Sequence, residues 1–513
     1  MKISRFQLIV LTIFALGVIF RFSGLGNKIY SHDEAYTSLR AAGYTGSEAI
    51  NAIWDGKVKT RDDIQLFLKP SGLKDVFDTI SVVARSEPQL SPLYFIFAHY
   101  WMRWIGASPA AMRGLAALLS LFAIPGMYWL SLELFKSRRT ALVSAALISL
   151  SPFGILFAQD ARPYSLWASL ALLSSAAFLA AIRKNKNFVW GIYSLSIIIG
   201  IYTHLMFALV VIAHGLYLVA VKESRLEGRF FRYLVASFLT LLAFTPWLYQ
   251  IFIHWNNMIA RIGWSNNEIP WLQYIQRWIM IFTSPFIDLY FSPRNIIPYI
   301  LRLPVLLLMG YSVYFLVVKT PKRIWAFPLL LIGVSTLPFF LLDLFRGGIL
   351  STQGRYYVID SVAIIPIIAF LLVDKLSVPR PNAQFKWYLI TALLVAAQLG
   401  SAFNILWAET WWTKKLTWND PQMGHVLNEA SNPILIVDGL APTDLGDILA
   451  LSYEVDEDVE FMLYQKPTVV ELPEDYTNIY WFHQTYKNLI NSESGKQYEA
   501  TEVVPYLLWH IDY

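Results

Sequence analysis

The sequence predicts a mainly α-helical, polytopic membrane protein of about eleven spans, with a small α/β domain at its C-terminal end. Three observations carry that prediction. Of 513 residues, 56% are hydrophobic and only 15% charged, whereas soluble domains run near a quarter charged. Apolar runs of about 20 residues, the length that crosses a bilayer, recur as far as residue 405. Beyond that point the pattern changes to short strand-like runs in an acidic background. The chain has no cysteine, which excludes disulfides, thiolate zinc, iron–sulfur clusters and a cysteine nucleophile. P-loop, GxGxxG and HExxH patterns are absent as well.

The first span runs from Phe6 to about Leu25 behind Lys2 and Arg5, interrupted only by Arg21. Its apolar core is too long for a cleaved signal peptide and no small-x-small site is evident. It therefore reads as an uncleaved anchor with a cytoplasmic N-terminus. Further spans are expected near 112–134, 140–158, 164–182, 188–203, 206–221, 233–253, 297–318, 324–342, 357–373 and 387–405. The basic clusters Lys136/Arg138/Arg139, Arg183/Lys184/Lys186, Lys222/Arg225/Arg229/Arg232, Lys319/Lys322/Arg323 and Lys375/Arg380/Lys386 all fall in alternate loops. That is the regularity the positive-inside rule requires, and it assigns those loops to the cytoplasm.

Residues 91–105 (SPLYFIFAHYWMRWI) are apolar but short, and carry His99 and Arg103. As a span they would flip every later loop, so they are read as an interfacial segment of the first outer loop, 26–111. A second large outer loop follows at 254–296. The net charge of +5 then separates into a strongly basic inner face and an acidic remainder. This division gives no sign of a nucleic-acid partner. The tail, 406–513, holds five Lys and Arg against 18 Asp and Glu. Within it, strands are expected at 434–439, 459–464, 468–472, 478–484 and 503–511, with helical material near 443–453 and 484–493. Trp407, Trp411, Trp412 and Trp418 before it suit an aromatic belt at the outer interface.

With this topology the polar residues at outer span ends form one set. Ionisable groups at membrane depth are costly, which makes them functional candidates. Asp33 and Glu34, in S-H-D-E-A-Y (31–36), lie just past the first span. A carboxylate there can serve as general base toward an acceptor hydroxyl or amine; equally, Asp33 can cap a helix that follows. Glu87, in S-E-P, can hold a divalent metal or orient an acceptor, or be simply an acid at a helix start. Asp160 and Arg162, in A-Q-D-A-R-P-Y-S (158–165), are an ion pair or, for Arg162, a contact to a lipid phosphate. His204, in Y-T-H, reads more readily as a satisfied polar residue than as a ligand. Arg346 and Arg355 flank a glycine-rich outer loop and suit a phosphodiester, with Asp343 as the alternative partner.

The order of H-D-E-A-Y after the first span, S-P-L-Y in the interfacial segment and Q-D-A-R-P-Y at the third span resembles the polyprenyl-phosphate-dependent C-type glycosyltransferases. The resemblance is to the group of protein O-mannosyltransferases and lipid A aminoarabinose transferases. It covers roughly residues 1–230, with support from T-P-W (245–247) and G-R-Y-Y (354–357). It implies a multispan fold whose first outer loop overlies a membrane-level cavity, and transfer with inversion outside the cytoplasm. By the same resemblance Asp33 is the catalytic base, Glu34 its neighbour and Asp160 a wall of the cavity. Glu87 matches an acid that contacts a divalent metal in some relatives, with His254 as the second contact. Ser91-Pro92 stands where many relatives have His-Pro or Pro-Pro. Arg355, before Tyr356 and Tyr357, is the candidate for the carrier phosphate.

The expected function is inverting transfer of a sugar from a polyprenyl-phosphate-linked donor to a glycan, lipid or protein acceptor. The site lies at the outer face of the cytoplasmic membrane, with the C-terminal domain extracytoplasmic. Arginines would stabilise the leaving phosphate while a carboxylate activates the acceptor. A transporter or flippase of lipid-linked sugars is the first rival, but transporters carry paired repeats and midplane charges. Here no repeat is visible and the charges gather at one face. A non-catalytic envelope polysaccharide assembly factor is the second rival.

Overall fold

A computed structural model describes residues 4–221, 227–289, 295–378, 381–438, 443–465, 470, 472–483 and 499–512. Among them, eight helices are long and apolar enough to cross a membrane. They are Arg5–Phe22, Pro109–Phe135, Tyr164–Lys184, Gly228–Ile253, Ile297–Lys319, Lys322–Arg346, Gly354–Leu376 and Pro381–Trp407. A ninth candidate is broken: Arg138–Ser149 and Pro152–Ala158 meet at 53°. Two further expected spans are shorter apolar helices, Asn187–Thr203 and Phe207–Val221. The apolar segments thus lie where hydropathy puts them, although fewer than eleven reach full spanning length.

The chain divides into two compact units. The first comprises Met1–Leu25, Val83–Tyr94 and Arg113–Trp407. It is a helical bundle whose lipid-facing side exposes large hydrophobic residues such as Leu8, Phe238, Leu307 and Leu393, as a bilayer-embedded surface does. Close approach sets its centre. A Cβ on Gly17 would lie 2.0 Å from the Ser149 hydroxyl oxygen, so the first span touches the third through a glycine. The break after Ser149 has a local cause. Pro152 has no amide hydrogen to continue the ladder, and Ser151 caps the new helix by accepting from the Gly154 amide at 3.4 Å. The carbonyls freed at the break receive the Arg21 guanidinium instead: Nη1 donates to Ser149 O at 2.5 Å and Nη2 to Ile148 O at 3.1 Å.

The expected basic clusters lie at helix ends of this bundle. Glu133 binds Lys136 at 2.7 Å and Arg183 at 2.6 Å, and Arg232 donates to the Asn185 side chain at 2.7 Å. The Tyr217 hydroxyl donates to Arg323 O at 2.8 Å, and the Lys375 ammonium lies 4.3 Å from the Phe315 ring centre. Residues of these basic regions are thus tied to neighbouring helices by pairwise contacts.

The second unit comprises Gly26–Val82, Phe95–Met112 and Ala408–Tyr513. This grouping differs from the division expected at residue 405, because residues 26–82 and 95–112 group with the tail. Its six-stranded mixed sheet has β1 (Asp55–Thr60), β2 (Pro433–Val437), β3 (Glu460–Tyr464), β4 (Asn478–Phe482), β5 (Glu499–Val504) and β6 (Leu508–Asp512) in the order β1-β3-β2-β4-β6-β5. β2 pairs in parallel with β3 and β4, and the other pairs are antiparallel. Three expected strands are found as β2, β3 and β4, whereas the run expected as one strand at 503–511 is broken by the turn at 505–507 between β5 and β6. The strand at 468–472 and the helix at 484–493 lie largely or wholly outside the described residues. The helix Asp444–Leu451 is the one expected near 443–453.

β1 was not expected. Its sequence, DGKVKT, lacks the alternation of a half-buried strand and is mostly exposed; pairing with β3, Lys59 opposite Phe461, recruits it as an edge. The interfacial segment forms the short helix Leu93–Trp104. Its polar residues anchor to the loop, as His99 Nδ1 lies 2.8 Å from Ala41 O and Arg103 donates to Ser71 O at 3.2 Å and to Lys74 O.

Candidate active site

In the second unit, the helix His32–Ala41 opens with Asp33 and Glu34. The cap is Ser31. Glu34, three residues on, accepts from the Ser31 amide and hydroxyl, each at 3.0 Å, which is a capping box. The S-x-x-E spacing therefore supplies the cap that Asp33 alone offered in the sequence. Glu34 is fully buried, and Lys414 Nζ lies 2.6 Å from its Oε2. Neighbouring carboxylates thus have different fates. Glu34 is held in a buried ion pair, while Asp33 is half-buried in the first helical turn, where the helix dipole favours its anion. His32 fixes the helix from the other side, with Nδ1 2.8 Å from Asp447 Oδ1. A Cβ on Gly446 would lie 2.4 Å from the His32 ring, so only glycine allows this approach.

Lys414 was not singled out in the sequence. A signal exists: it is one of five cations in a tail of 18 acids, set in W-W-T-K-K beside the aromatic belt.

The bundle unit gathers most of the other candidates. The turn 159–163 joins the broken helix to Tyr164–Lys184, with the Arg162 amide donating to Asp160 O at 2.6 Å. Gln159 pins this turn to the end of the first span, donating to Phe20 O at 2.7 Å and Ser23 O at 2.9 Å. Asp160 and Arg162 are both buried. The Arg162 guanidinium lies 5.8 Å from the Tyr164 ring centre. One turn on, Trp167 stacks flat on His204 at 4.2 Å, and His204 Nδ1 accepts from the Met206 amide at 3.2 Å. The charges of Arg162 and Arg355 both act on that imidazole. Arg162 and Arg355 thus both lie within electrostatic reach of His204, and Asp160 shares the turn of Arg162. His204 serves them as a stacked, hydrogen-bonded support.

Two sequence motifs lock the Glu87 segment beside this region of the bundle. Trp247, from T-P-W, donates through Nε1 to Pro88 O at 3.0 Å. Ser91, where relatives of the resembled group show His or Pro, donates to Ile201 O at 2.7 Å, just before Y-T-H. Asn257, on the helix Trp255–Ile262 that follows His254, donates to Arg85 O at 2.9 Å.

The glycine-rich loop is built by Asp343, which accepts from the Leu350 amide at 3.0 Å and the Ser351 amide at 2.6 Å. Asp343 therefore organises the loop rather than pairing with an arginine. Gly348 has φ +119°, and a Cβ there would lie 2.4 Å from Ser265 O. The helix Trp271–Thr283 braces the loop: Tyr274 donates to Gly348 O and Trp278 Nε1 to Ser351 O at 3.0 Å. Tyr356 stacks on Phe339 at 5.0 Å and lies 5.6 Å from the Arg355 guanidinium. Arg346 is exposed in the last turn of Lys322–Arg346, and His254 is the N-cap of its helix. None of the contacts above involves either side chain.

Among the described residues no three His, Asp or Glu side chains converge to hold a metal ion. Glu87 and His254 do not by themselves make such a set.

Residues 87–250 match the family profile of dolichyl-phosphate-mannose-protein mannosyltransferase. The undecaprenyl phosphate-alpha-4-amino-4-deoxy-L-arabinose arabinosyl transferase of Pectobacterium atrosepticum is 26% identical over 189 residues, 35% of this chain and 33% of that protein. The Pectobacterium carotovorum enzyme of the same name matches to the same extent. The chain spans about a third of the length of these curated relatives. In fold the likeness extends over nearly the whole chain. ArnT from Cupriavidus metallidurans in the apo state has a TM-score of 0.56 at 11% identity, over 99% of this chain and 98% of that one. The apo oligosaccharyltransferase of Archaeoglobus fulgidus has a TM-score of 0.50, at 11% identity, over 89% of this chain and 64% of that one. From end to end, then, this multi-pass membrane protein shares the fold of ArnT, and its residues 87–250 match the mannosyltransferase family profile.

Proposed function

We propose that the chain is a glycosyltransferase that moves a sugar from a polyprenyl-phosphate-linked donor to a hydroxyl or amine acceptor, with inversion. The observation that carries this reading is that Arg162, with Asp160 in its turn, and Arg355 both lie within electrostatic reach of His204, inside a fold that resembles ArnT. The ArnT structure from Cupriavidus metallidurans has also been solved bound to undecaprenyl phosphate, which supports a donor of that class.

The chemistry is a single displacement. The acceptor oxygen or nitrogen attacks the anomeric carbon, the bond from that carbon to the phosphate oxygen breaks, and the electron pair leaves with the carrier phosphate. Arg162 and Arg355 stabilise the growing phosphate charge. Asp33 takes the acceptor proton, a role worth about 10²- to 10⁴-fold in rate. Glu34 is engaged instead with Lys414 and the Ser31 cap. Tyr356, braced by Phe339 and Arg355, lines the carrier's entry; Asp160 shapes the cavity wall, and Glu87 the acceptor side. The alternate-loop pattern of the basic clusters supports a cytoplasmic placement for those loops and an outer one for the site.

The test is transfer by purified protein in lipid nanodiscs with a labelled polyprenyl-phosphate sugar and an envelope extract as acceptor. Asp33→Asn is expected to abolish transfer while leaving donor binding intact. Transfer by Asp33→Asn at the wild-type rate would remove Asp33 as the base.

A further inference from the structure

Asp360 lies in the first turn of the helix Val358–Leu376, inside a span and only 4% exposed. An acid at that depth is costly unless it is paired or neutral. Among the described residues no cation pairs with it. Its carboxyl meets two hydroxyls of the helix Lys322–Arg346 instead: Ser335 Oγ lies 2.8 Å from Oδ2, and Thr336 Oγ1 bonds to Oδ1.

Counting hydrogens decides the state of this acid. Ser335 owns one hydroxyl hydrogen. Its Oγ also lies 2.7 Å from Leu331 O and 3.2 Å from Ile332 O, which are acceptors only. The hydrogen goes back to its own helix, as serine hydroxyls inside helices do. The contact between Ser335 Oγ and Asp360 Oδ2 then needs a hydrogen of its own, and only the carboxyl can supply it. Thr336 donates to Oδ1. Three contacts are thereby served by three hydrogens, with Asp360 as a neutral acid that donates to Ser335 and accepts from Thr336.

The clamp lies where the turn carrying Arg355 has to be held. Phe339 follows Ser335 by four residues on one helix, and Tyr356 precedes Asp360 by four on the other segment. Tyr356 stacks on Phe339 at 5.0 Å with the ring planes 18° apart. The two contacts, about one helical turn apart, fasten residues 356–360 to Lys322–Arg346. From the other side the Tyr357 hydroxyl donates to Ser351 O at 2.8 Å. All three anchors fall within five residues of Arg355. An ionised carboxylate in that place would offset the Arg355 charge; a neutral one holds the turn and leaves the charge whole.

We propose that Asp360 is a positioning residue for the carrier phosphate: a neutral acid that fixes the Arg355 turn without setting a negative charge beside the phosphate. This rests on the reading of Arg355 as a phosphate contact.

The experiment measures, by native mass spectrometry on the full-length protein, how much more tightly undecaprenyl phosphate is retained than undecaprenol. Undecaprenol reports the grip on the hydrocarbon chain alone. Asp360→Leu is expected to lower the phosphate preference at least fivefold while undecaprenol retention stays unchanged. Asp360→Asn, which keeps an uncharged donor and acceptor in the clamp, is expected to restore the preference to within twofold of wild type. Thr336→Val removes one arm with little change of shape and is expected to lower the preference in the same direction, so the test stands if Asp360→Leu fails to fold. Arg355→Gln is measured alongside. Wild-type preference in both Asp360→Leu and Thr336→Val, with a loss in Arg355→Gln, overturns this proposal alone. Undiminished preference in Arg355→Gln overturns the phosphate reading of Arg355 and this proposal with it. A loss in Asp360→Asn as large as in Asp360→Leu overturns the neutral acid, and an equal loss of undecaprenol overturns the positioning role.

Discussion

Lys414 Nζ lies 2.6 Å from Glu34 Oε2, and both side chains are almost completely removed from solvent. The pair joins the helix that carries Asp33 to the segment leading into the tail. Removing one member strands a buried charge, at a cost of about 3–5 kcal/mol. Lys414→Met should therefore lower the melting temperature of the detergent-purified protein clearly, and adding Glu34→Gln should restore much of the loss. Asp33→Asn should leave the melting temperature near wild type. A stable Lys414→Met protein would show that the pair contributes little.

Asp420 makes a pH prediction. Burial, and then the charges of Asp447 and Glu454, push its carboxyl well above the ordinary aspartate range. The folded state therefore holds a proton where the unfolded chain has lost it, so this residue costs more stability as pH rises. Asp420→Asn should stabilise the protein at neutral pH, and the gain should shrink on acidification toward the ordinary aspartate pKa. Melting curves at several pH values check both signs.

Ser91 donates a buried hydrogen bond to Ile201 O. Ser91→Ala leaves that carbonyl without its donor, a change worth about 1–3 kcal/mol. It should lower stability and, by loosening the Glu87 segment, reduce transfer several-fold. A variant with wild-type stability and rate would show that the segment is held elsewhere.

The topology is open to direct labelling, because the chain has no cysteine of its own. A cysteine placed at Gly106 should react with a membrane-impermeant thiol reagent from outside, and one at Ser137 only after permeabilisation. The reverse pattern would make 91–105 a span and invert the map.

Much of the bundle was legible because spanning a bilayer forces long apolar runs, which need no tertiary knowledge to read. The break at Pro152 and the short helices after it were less legible, since their length depends on neighbours that fill freed hydrogen bonds, as Arg21 does. In the tail, the strands with continuous apolar runs, such as ILIV, were readable. β1 was not, because its pairing with β3 rather than its own pattern makes it a strand. Among the candidates, Asp33, Asp160 and Arg162 stood out in the sequence as charges at span ends. Lys414 and Gln159 did not, because their importance lies in partners remote in sequence.

The placement of β1 also sets an order of events during synthesis. Lys59 pairs with Phe461, about 400 residues later, so at ordinary elongation rates the loop waits on the order of tens of seconds for its partner strand. Glu34 waits nearly as long for Lys414. The loop that bears Asp33 therefore takes its final form only after residues 414–461 have been made, and a chain that stops earlier leaves β1 and Glu34 without their partners.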